Sequence, residues 1–189
     1  LNWSPGPVSS GTTGPYGNAA TSYKVYTSTN GIGWDGGVTV TGATTLAFSG
    51  MPFNAPTYFR VTALNAGGES FGSTVVSAKP QAGVRAPILI VNNFTRLDRA
   101  GDQLETNINL EVAGAQVLDR VNSLYNNSQN YVVQAASAIQ AFNPFLGIES
   151  CSDSAIASGE ISLSNYQTVI WMSGEQSSVD HTFSSTVQQ

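Results

Sequence analysis

The sequence predicts a two-domain chain: an all-β sandwich over residues 1–80, a linker over 81–87, and an α/β domain with a parallel sheet over 88–189. The first domain shows apolar and polar residues alternating in short runs between Gly, Pro, Asn and Thr, a pattern typical of strands and turns. The second domain contains continuous apolar runs and one helical stripe, as expected of buried strands packed against a helix. Two prolines and a glycine lie in residues 79–87, which indicates a linker.

The most regular strand of the first domain is predicted over residues 58–64 (YFRVTAL). Side chains alternate between the two faces of a strand, so Phe59, Val61 and Ala63 are predicted to face the core. Shorter strands are predicted around residues 23–27, 38–40, 46–48 and 73–78. No helical segment interrupts them, which favours a sandwich of two sheets.

In the second domain, residues 87–91 (PILIV) predict a strand buried on both faces. A helix is predicted over residues 128–142, with Ser128 as its N-cap. Its apolar stripe consists of Val132, Ala135, Ala136, Ile139 and Phe142. A strand around 145–149, a short helix near 154–158 and a buried strand over 168–172 follow. Strands that alternate with helices in this way predict parallel pairing.

Composition excludes several classes of function. Charged residues make up 10% of the chain and the net charge is −5, so the basic surface that nucleic acid or an anionic membrane requires is absent from the sequence. No apolar run reaches the ~18 residues of a membrane-spanning helix. One Cys and one His exclude a disulfide framework within the chain and a zinc site built from several Cys or His ligands.

The first domain resembles a fibronectin type III domain over about residues 1–80. Residues 1–5 (LNWSP) are similar to its second strand, 23–26 (YKVY) to its third, and 58–70 (YFRVTALNAGGES) to its sixth strand and the following turn. The resemblance implies that the first strand of the sandwich is missing, because the chain opens inside the second.

The second domain resembles a Rossmann-like or flavodoxin-like domain, of the class-I glutamine-amidotransferase type, in large secreted bacterial golvesin/xanthan-lyase-type proteins. The matching segments are residues 88–96 (ILIVNNFTR), 154–166 and 169–184. The resemblance implies a secreted or cell-surface location and a domain whose C-terminal part is missing. Some proteins of this kind are peptidoglycan amidases or polysaccharide lyases.

The candidate site lies at the carboxyl ends of the parallel strands, where open sheets of this type bind ligands. The predicted ligand-binding residues are Asn92, Asn93, Arg96, Gly174, Glu175 and Gln176, and we also place Glu149 and Cys151 at this edge. Two interpretations stay open: Arg96 and Glu175 bind a polar ligand, or they form a structural pair that fixes the loops. Asn92 stands where the resembling family leads us to expect an acidic residue.

Three other motifs have a structural interpretation beside a chemical one. Cys151 is either a nucleophile or a buried structural residue, and the neighbouring Asp180 and His181 favour a helix start over a catalytic triad. Aromatic residues at 16, 26 and 34 form either a sugar-stacking patch or ordinary packing. Oxygen ligands for Ca²⁺ are available at Asp98, Asp102, Glu105, Asn107 and Asn109, without the spacing of an EF-hand.

We therefore predict a non-catalytic accessory or spacer segment of a secreted bacterial multidomain protein, with no catalytic residues, metal or cofactor of its own. The partners implied are the rest of the parent chain or neighbouring subunits, and polysaccharide or peptidoglycan. Two alternatives stay open. One is a fragment of a hydrolase, an amidase or a lyase whose catalytic residues lie largely outside this chain. The other is a structural subunit of an extracellular assembly.

Overall fold

The structure is a computed structural model of the chain. It describes residues 1–6, 18–83, 85–94, 104–109, 116–121, 128–174, 183, 185 and 187–188. The strands of the N-terminal part are β1 (Ser22–Ser28), β2 (Val38–Thr41), β3 (Thr57–Asn65), β4 (Gly68–Glu69) and β5 (Val76–Lys79). The elements that follow are β6 (Ile88–Asn92), β7 (Leu104–Asn109), β8 (Gln116–Val121), α1 (Val132–Phe142), β9 (Ile148–Ser152), α2 (Asp153–Ala157), a 3-10 turn (Leu163–Asn165) and β10 (Thr168–Met172).

Eight of the ten described strands form one mixed sheet. Seven of them follow the order β10-β6-β9-β5-β3-β1-β2, and β4 pairs with β3. Strands β2, β1, β3 and β5 pair antiparallel, whereas β9, β6 and β10 pair parallel. Strands β7 and β8 form a separate hairpin. The structure is thus a β-rich protein with few helices, and the division into two domains stays a prediction.

The antiparallel and parallel parts meet where β5 pairs with β9, a junction that we call the seam. Ala78 lies opposite Glu149 and Lys79 lies opposite Ile148, in antiparallel orientation. The Ser150 hydroxyl extends this pairing, because it accepts the Ser77 N–H at 2.6 Å and donates to the Ser77 carbonyl at 3.0 Å. The sheet therefore continues across the segment that the sequence predicts to be a linker.

The alternation of strands and helices predicted for the second part is confirmed. Ile90 lies opposite Ile170 on one side and Ser150 on the other, both in parallel register. Leu89, Ile90 and Val91 are completely buried, because helices cover both faces of β6. Burying each of these side chains contributes about 1.5–3 kcal/mol, so the continuous apolar run accounts for the central position of this strand.

Helix α1 covers one face of the sheet on both sides of the seam. It contacts β5 of the antiparallel part and β6 of the parallel part. The cluster beneath it combines residues of both parts: Tyr58, Val75, Ile88, Ile90, Val132, Ala136, Ile139 and Ile148. The two parts therefore share one core.

The opposite face is covered by separate elements. Under the parallel strands, Ile156 of α2 packs against Leu89, Val91 and Cys151. Under the antiparallel strands lies a short pair of segments in which Asn2 forms an antiparallel bridge with Thr45. Residues beside this bridge reach the sheet through two ring contacts, Trp3 with Tyr23 and Phe48 with Phe59, with centroids 5.5 Å and 4.8 Å apart.

Several predicted boundaries and faces are wrong. Helix α1 begins at Val132, and the Ser128 hydroxyl donates to the Asn130 side chain instead of capping the helix. Phe142, predicted to belong to the buried stripe, is the last residue of the helix and is 86% exposed. In β3, Phe59 and Val61 of the predicted core face are buried and Ala63 is half-buried. Tyr58 and Thr62 of the other face are buried as well, because α1 and neighbouring side chains cover that face.

Candidate functional site

The predicted site lies where β6 and β10 end side by side. The adjacency of these strands is confirmed, and a hydrogen bond of 3.0 Å from the Asn93 N–H to the Met172 carbonyl extends their pairing. Asn92, Asn93 and Gly174 therefore lie at one edge of the sheet. Arg96, Glu175 and Gln176 lie outside the described residues.

Asn92 has a buried side chain that is only half satisfied. Its Oδ1 accepts the Phe94 N–H at 3.0 Å, which identifies the other amide atom as the nitrogen. Its Nδ2 finds no acceptor in the described part of the chain, and the residue is 1% exposed. A buried donor without a partner costs about 1–3 kcal/mol, so this amide favours a ligand that brings an acceptor to the strand end.

Aromatic rings enclose this edge. The Phe94 ring lies directly on Gly174, where a Cβ atom would approach Phe94 Cδ2 to 1.3 Å. Gly174 also has a φ of +55°, a conformation that glycine adopts without strain. The Phe94 ring contacts Tyr131 with a centroid distance of 4.1 Å, and this contact brings the start of α1 to the strand end.

The predicted position of Glu149 and Cys151 at the carboxyl edge is wrong. Strand β9 spans Ile148–Ser152, three residues later than predicted, so Glu149 lies near its amino end and Cys151 lies within it. The predicted strand start at Phe145 fails because Phe145 is 82% exposed and precedes the strand. Glu149 therefore belongs to the opposite edge of the sheet.

At that amino edge, Arg85, Glu149 and Tyr166 form a polar cluster that sequence reasoning missed. Arg85 Nη2 lies 3.0 Å from Glu149 Oε2 and donates to the Tyr166 hydroxyl at 2.7 Å. Tyr166 donates in turn to Glu149 Oε2, and the Arg85 guanidinium lies 4.8 Å from the centre of the Tyr166 ring. Burial and the bond to Glu149 raise the pKa of Tyr166 to about 12, so its hydroxyl stays protonated at neutral pH.

A pocket of about 240 Å³ adjoins this cluster. Its lining comes from the seam, the segment after β5 and the loop before β3: Met51, Ala78, Lys79, Pro80, Gln81, Arg85, Ala86, Ile148 and Glu149. In the sequence, the only local indication of this cluster was that Arg85 and Glu149 are charged residues close to the starts of two strands. The pairing of those strands in the sheet is needed to bring the two residues together.

Lys79 is the most deeply buried charged residue among those described, with 1% exposure. Its Nζ donates to the Gln140 side chain at 2.6 Å and to the Pro144 carbonyl at 2.5 Å, both near the end of α1. Burial lowers the pKa of this ammonium. Its two neutral acceptors and its position under α1 indicate a structural role at the seam.

Cys151 has the environment of a structural residue. The thiol is buried against Leu89, Val91 and Ile156. Burial, with the nearby charges of Asp153 and Glu149, raises its pKa to about 12. Because the thiolate is the nucleophilic form, this thiol is unreactive at neutral pH. Asp180 and His181 lie outside the described residues.

The described rings of the predicted aromatic patch, Tyr26 and Trp34, already contact other side chains. The Arg60 guanidinium lies 5.1 Å from the centre of the Tyr26 ring and 4.5 Å from that of Trp34, and Tyr26 donates to Glu69. The sugar-stacking interpretation is disfavoured, because these rings already stack on a cation. Tyr16 lies outside the described residues.

No group of three or more His, Cys, Asp or Glu residues that could hold a metal ion occurs in the part of the chain that the structure describes. Two of the predicted Ca²⁺ ligands, Asp98 and Asp102, lie outside it, and the other three belong to β7. No helix among the described residues is long and apolar enough to cross a membrane. Comparisons with protein-family models, curated proteins and solved structures find no match to this chain.

Proposed function

We propose that the chain is a non-catalytic accessory and spacer segment of a secreted or cell-surface bacterial multidomain protein that associates with envelope or polysaccharide. In this proposal, a fibronectin type III-like part and a partial Rossmann-like part form a single rigid unit. The observation that carries the proposal is the seam, where Ala78 and Lys79 pair with Glu149 and Ile148. A spacer fixes the positions of its neighbours only when its own parts do not move against each other.

The core supports the same interpretation. Tyr58 and Val75 of the first part pack in one cluster with Ile88, Ile148 and helix α1 of the second. Interfaces between independent domains are more polar than this and permit relative motion. A shared apolar core and a shared sheet both oppose such motion.

Rigidity can be tested by measuring a distance between the two parts. Spin labels at Phe71→Cys and Glu160→Cys, in a Cys151→Ala background, occupy exposed positions on either side of the seam. A narrow distance distribution is expected, as narrow as that of a control pair at positions 41 and 71 within the antiparallel part. A broad or two-peaked distribution for the cross-seam pair alone would contradict the spacer proposal.

A second candidate, a fragment of a hydrolase, an amidase or a lyase, is favoured by one observation. Among the described residues, the buried Asn92 Nδ2 has no acceptor at the strand edge where ligands bind in such sheets. Because the catalytic residues of this candidate lie largely outside the chain, a binding measurement at this edge separates the two candidates better than an activity assay. Shifts of the Asn92, Asn93 and Gly174 amide resonances on addition of soluble xanthan or peptidoglycan fragments, lost in Asn92→Ala, would support the hydrolytic candidate, and no shifts at this edge are expected of a spacer.

A further inference from the structure

The pocket at the amino edge contains two opposite charges with unused hydrogen-bonding capacity. Both bonds to Glu149 end on Oε2, and no described residue donates to Oε1. Arg85 donates only through Nη2, which leaves Nε and Nη1 without an acceptor among the described residues. The side chains are 51% and 37% exposed for Arg85 and Glu149, so an incoming molecule can reach both.

The rest of the lining is mainly apolar. Gln81 and Lys79 are the other polar members, and the Gln81 Oε1 accepts the Gly147 N–H at 3.0 Å while Lys79 bonds to the end of α1. The apolar members are Met51, Ala78, Pro80, Ala86 and Ile148. The pocket thus offers a cation, an anion and an apolar wall within about 240 Å³.

We propose that this pocket binds a free amino acid with an apolar side chain. The α-carboxylate pairs with the Arg85 guanidinium, the α-ammonium pairs with Glu149, and the side chain packs against the apolar lining. A zwitterion matches both charges at once, because guanidinium forms strong paired hydrogen bonds to carboxylate and a carboxylate accepts well from ammonium.

Other ligand classes fit less well. A simple anion meets repulsion from Glu149, and a simple cation meets repulsion from Arg85. A sugar carries hydroxyl groups on all sides, and several of them would lie against the apolar lining without partners, at a cost for each buried hydroxyl. An apolar side chain turns the same lining into a favourable contact.

The recognition groups are held in place before binding. Tyr166 bonds to both charged side chains and stacks under Arg85, and these contacts limit the freedom of two long side chains. The wall beside them is tightly packed, since a Cβ at Gly147 would come within 2.9 Å of Gln81 Cβ and 3.0 Å of Ala86 Cα. Groups fixed in this way lose little entropy on binding.

This inference goes beyond the spacer role, but it uses the same seam, because Ala78 and Lys79 of one part and Ile148 and Glu149 of the other line the pocket. A rigid segment without the amino acid site would still give the narrow label distances described above, so narrow distances without leucine binding would overturn this inference alone. A broad distance distribution would contradict the spacer role and the pocket together.

The test is a titration of the complete chain with L-leucine, followed by amide resonances in ¹H–¹⁵N spectra. Saturable shifts are expected at Met51, Gln81, Gly147 and Glu149. Two analogues remove one charge each: leucinamide lacks the carboxylate and 4-methylpentanoate lacks the ammonium. Both are expected to bind about tenfold or more weakly than leucine, because each loses a charge-assisted pair.

Two variants test whether leucine binds in this pocket. Glu149→Gln is expected to weaken leucine binding by about tenfold, whereas Glu160→Gln, an exposed glutamate outside the lining, is expected to leave it unchanged. If Glu149→Gln unfolds, the binding of leucine, leucinamide and 4-methylpentanoate to the unmodified chain still tests the proposal. Absence of pocket shifts with leucine, equal binding of 4-methylpentanoate or leucinamide, or tighter binding of D-glucose would each overturn the proposal.

Discussion

The antiparallel and parallel parts of the sheet are stabilised in different ways. In the parallel part, Leu89, Ile90 and Val91 are fully buried between two helices, so apolar packing on both faces holds the strands. In the antiparallel part, cations stack on aromatic rings and hydroxyls bond to Glu69 on one face of β1 and β3. Partly exposed networks of this kind contribute less than buried apolar area.

This difference indicates that the two parts contribute unequally to the stability of the sheet. The antiparallel part contributes Tyr58 and Val75 to the cluster under α1, so part of its own packing depends on residues of the parallel part. Backbone pairing between β5 and β9 at the seam also couples the antiparallel part to the parallel part. The parallel part is therefore expected to stabilise the whole sheet.

The largest expected effect comes from matched leucine truncations in the two parts. Leu89→Ala removes a fully buried side chain and is expected to lower the free energy of unfolding by about 2–5 kcal/mol. Leu64→Ala, at a half-buried position of β3, is expected to cost clearly less. Chemical denaturation monitored by circular dichroism measures both. Equal costs would contradict the contrast between the parts.

A smaller effect is expected from a substitution at the seam itself. Ser150→Ala leaves the N–H of the buried Ser77 without its acceptor, and this change is expected to cost about 1–3 kcal/mol. The exposed Ser158, whose hydroxyl bonds locally to the Ala155 carbonyl, provides the control. If Ser158→Ala destabilises the chain as much as Ser150→Ala, the hydrogen bond across the seam contributes no more to the free energy of unfolding than a local surface hydrogen bond.

The apolar strands and the seam show which features of the fold local sequence patterns can predict. The strands over 87–91 and 168–172 were predicted because nearly every residue in them is apolar, a property that each segment carries on its own. The predicted burial is confirmed for β6 but wrong for β10, which contains no buried residue because it lies at the end of the strand order of the described sheet. The seam was not predicted, because it joins Ser77 to Ser150 across 73 residues and strand order does not follow from local patterns. The burial of Lys79 follows from the seam and could not be expected without it.

The same limit applies to the candidate sites. The carboxyl edge with Asn92, Asn93 and Gly174 was predictable from where two apolar runs end. The pocket was not, because Met51, Gln81, Arg85 and Glu149 come from four separate segments with no common motif. Only the pairing of the strands that they flank brings these residues together.

Lys79 is expected to make stability at the seam depend on alkaline pH. Burial lowers its pKa in the folded chain below the ordinary value of 10.5, so the unfolded chain binds more protons in the interval between the two values. Relative to Lys79→Met, the natural chain is therefore expected to gain stability as pH rises through that interval.

Thermal unfolding of both proteins from pH 7 to pH 10.5 measures this gain. The alkaline ionisation of Cys151 and Tyr166 affects both proteins alike and cancels in the difference. A difference in unfolding free energy that stays constant across the range would contradict a pKa of Lys79 that is lowered by burial.

The smallest effect is expected in the antiparallel part at Asp35. Burial opposes ionisation of this carboxyl, but hydrogen bonds from Thr27 and Gly37 outweigh it and lower its pKa below 3.8. This stabilisation is present above pH 3.8 and is lost as pH falls through the folded-state value. Asp35→Asn is expected to remove that acid dependence and to cost less than about 1 kcal/mol at pH 7, because the site is exposed to solvent. An unchanged acid unfolding profile would contradict this role.

One sheet and one core join the two parts, so backbone protons on either side of the seam are expected to lie close together. Adjacent strands lie about 4.7–4.9 Å apart, so nuclear Overhauser effects are expected between backbone protons of Ala78 or Lys79 and those of Ile148 or Glu149. Contacts within β1–β3 and within β6–β10 are expected alongside them as internal controls. Observation of the cross-seam contacts would establish the continuous sheet. Clear contacts inside each part with none between β5 and β9 would contradict it.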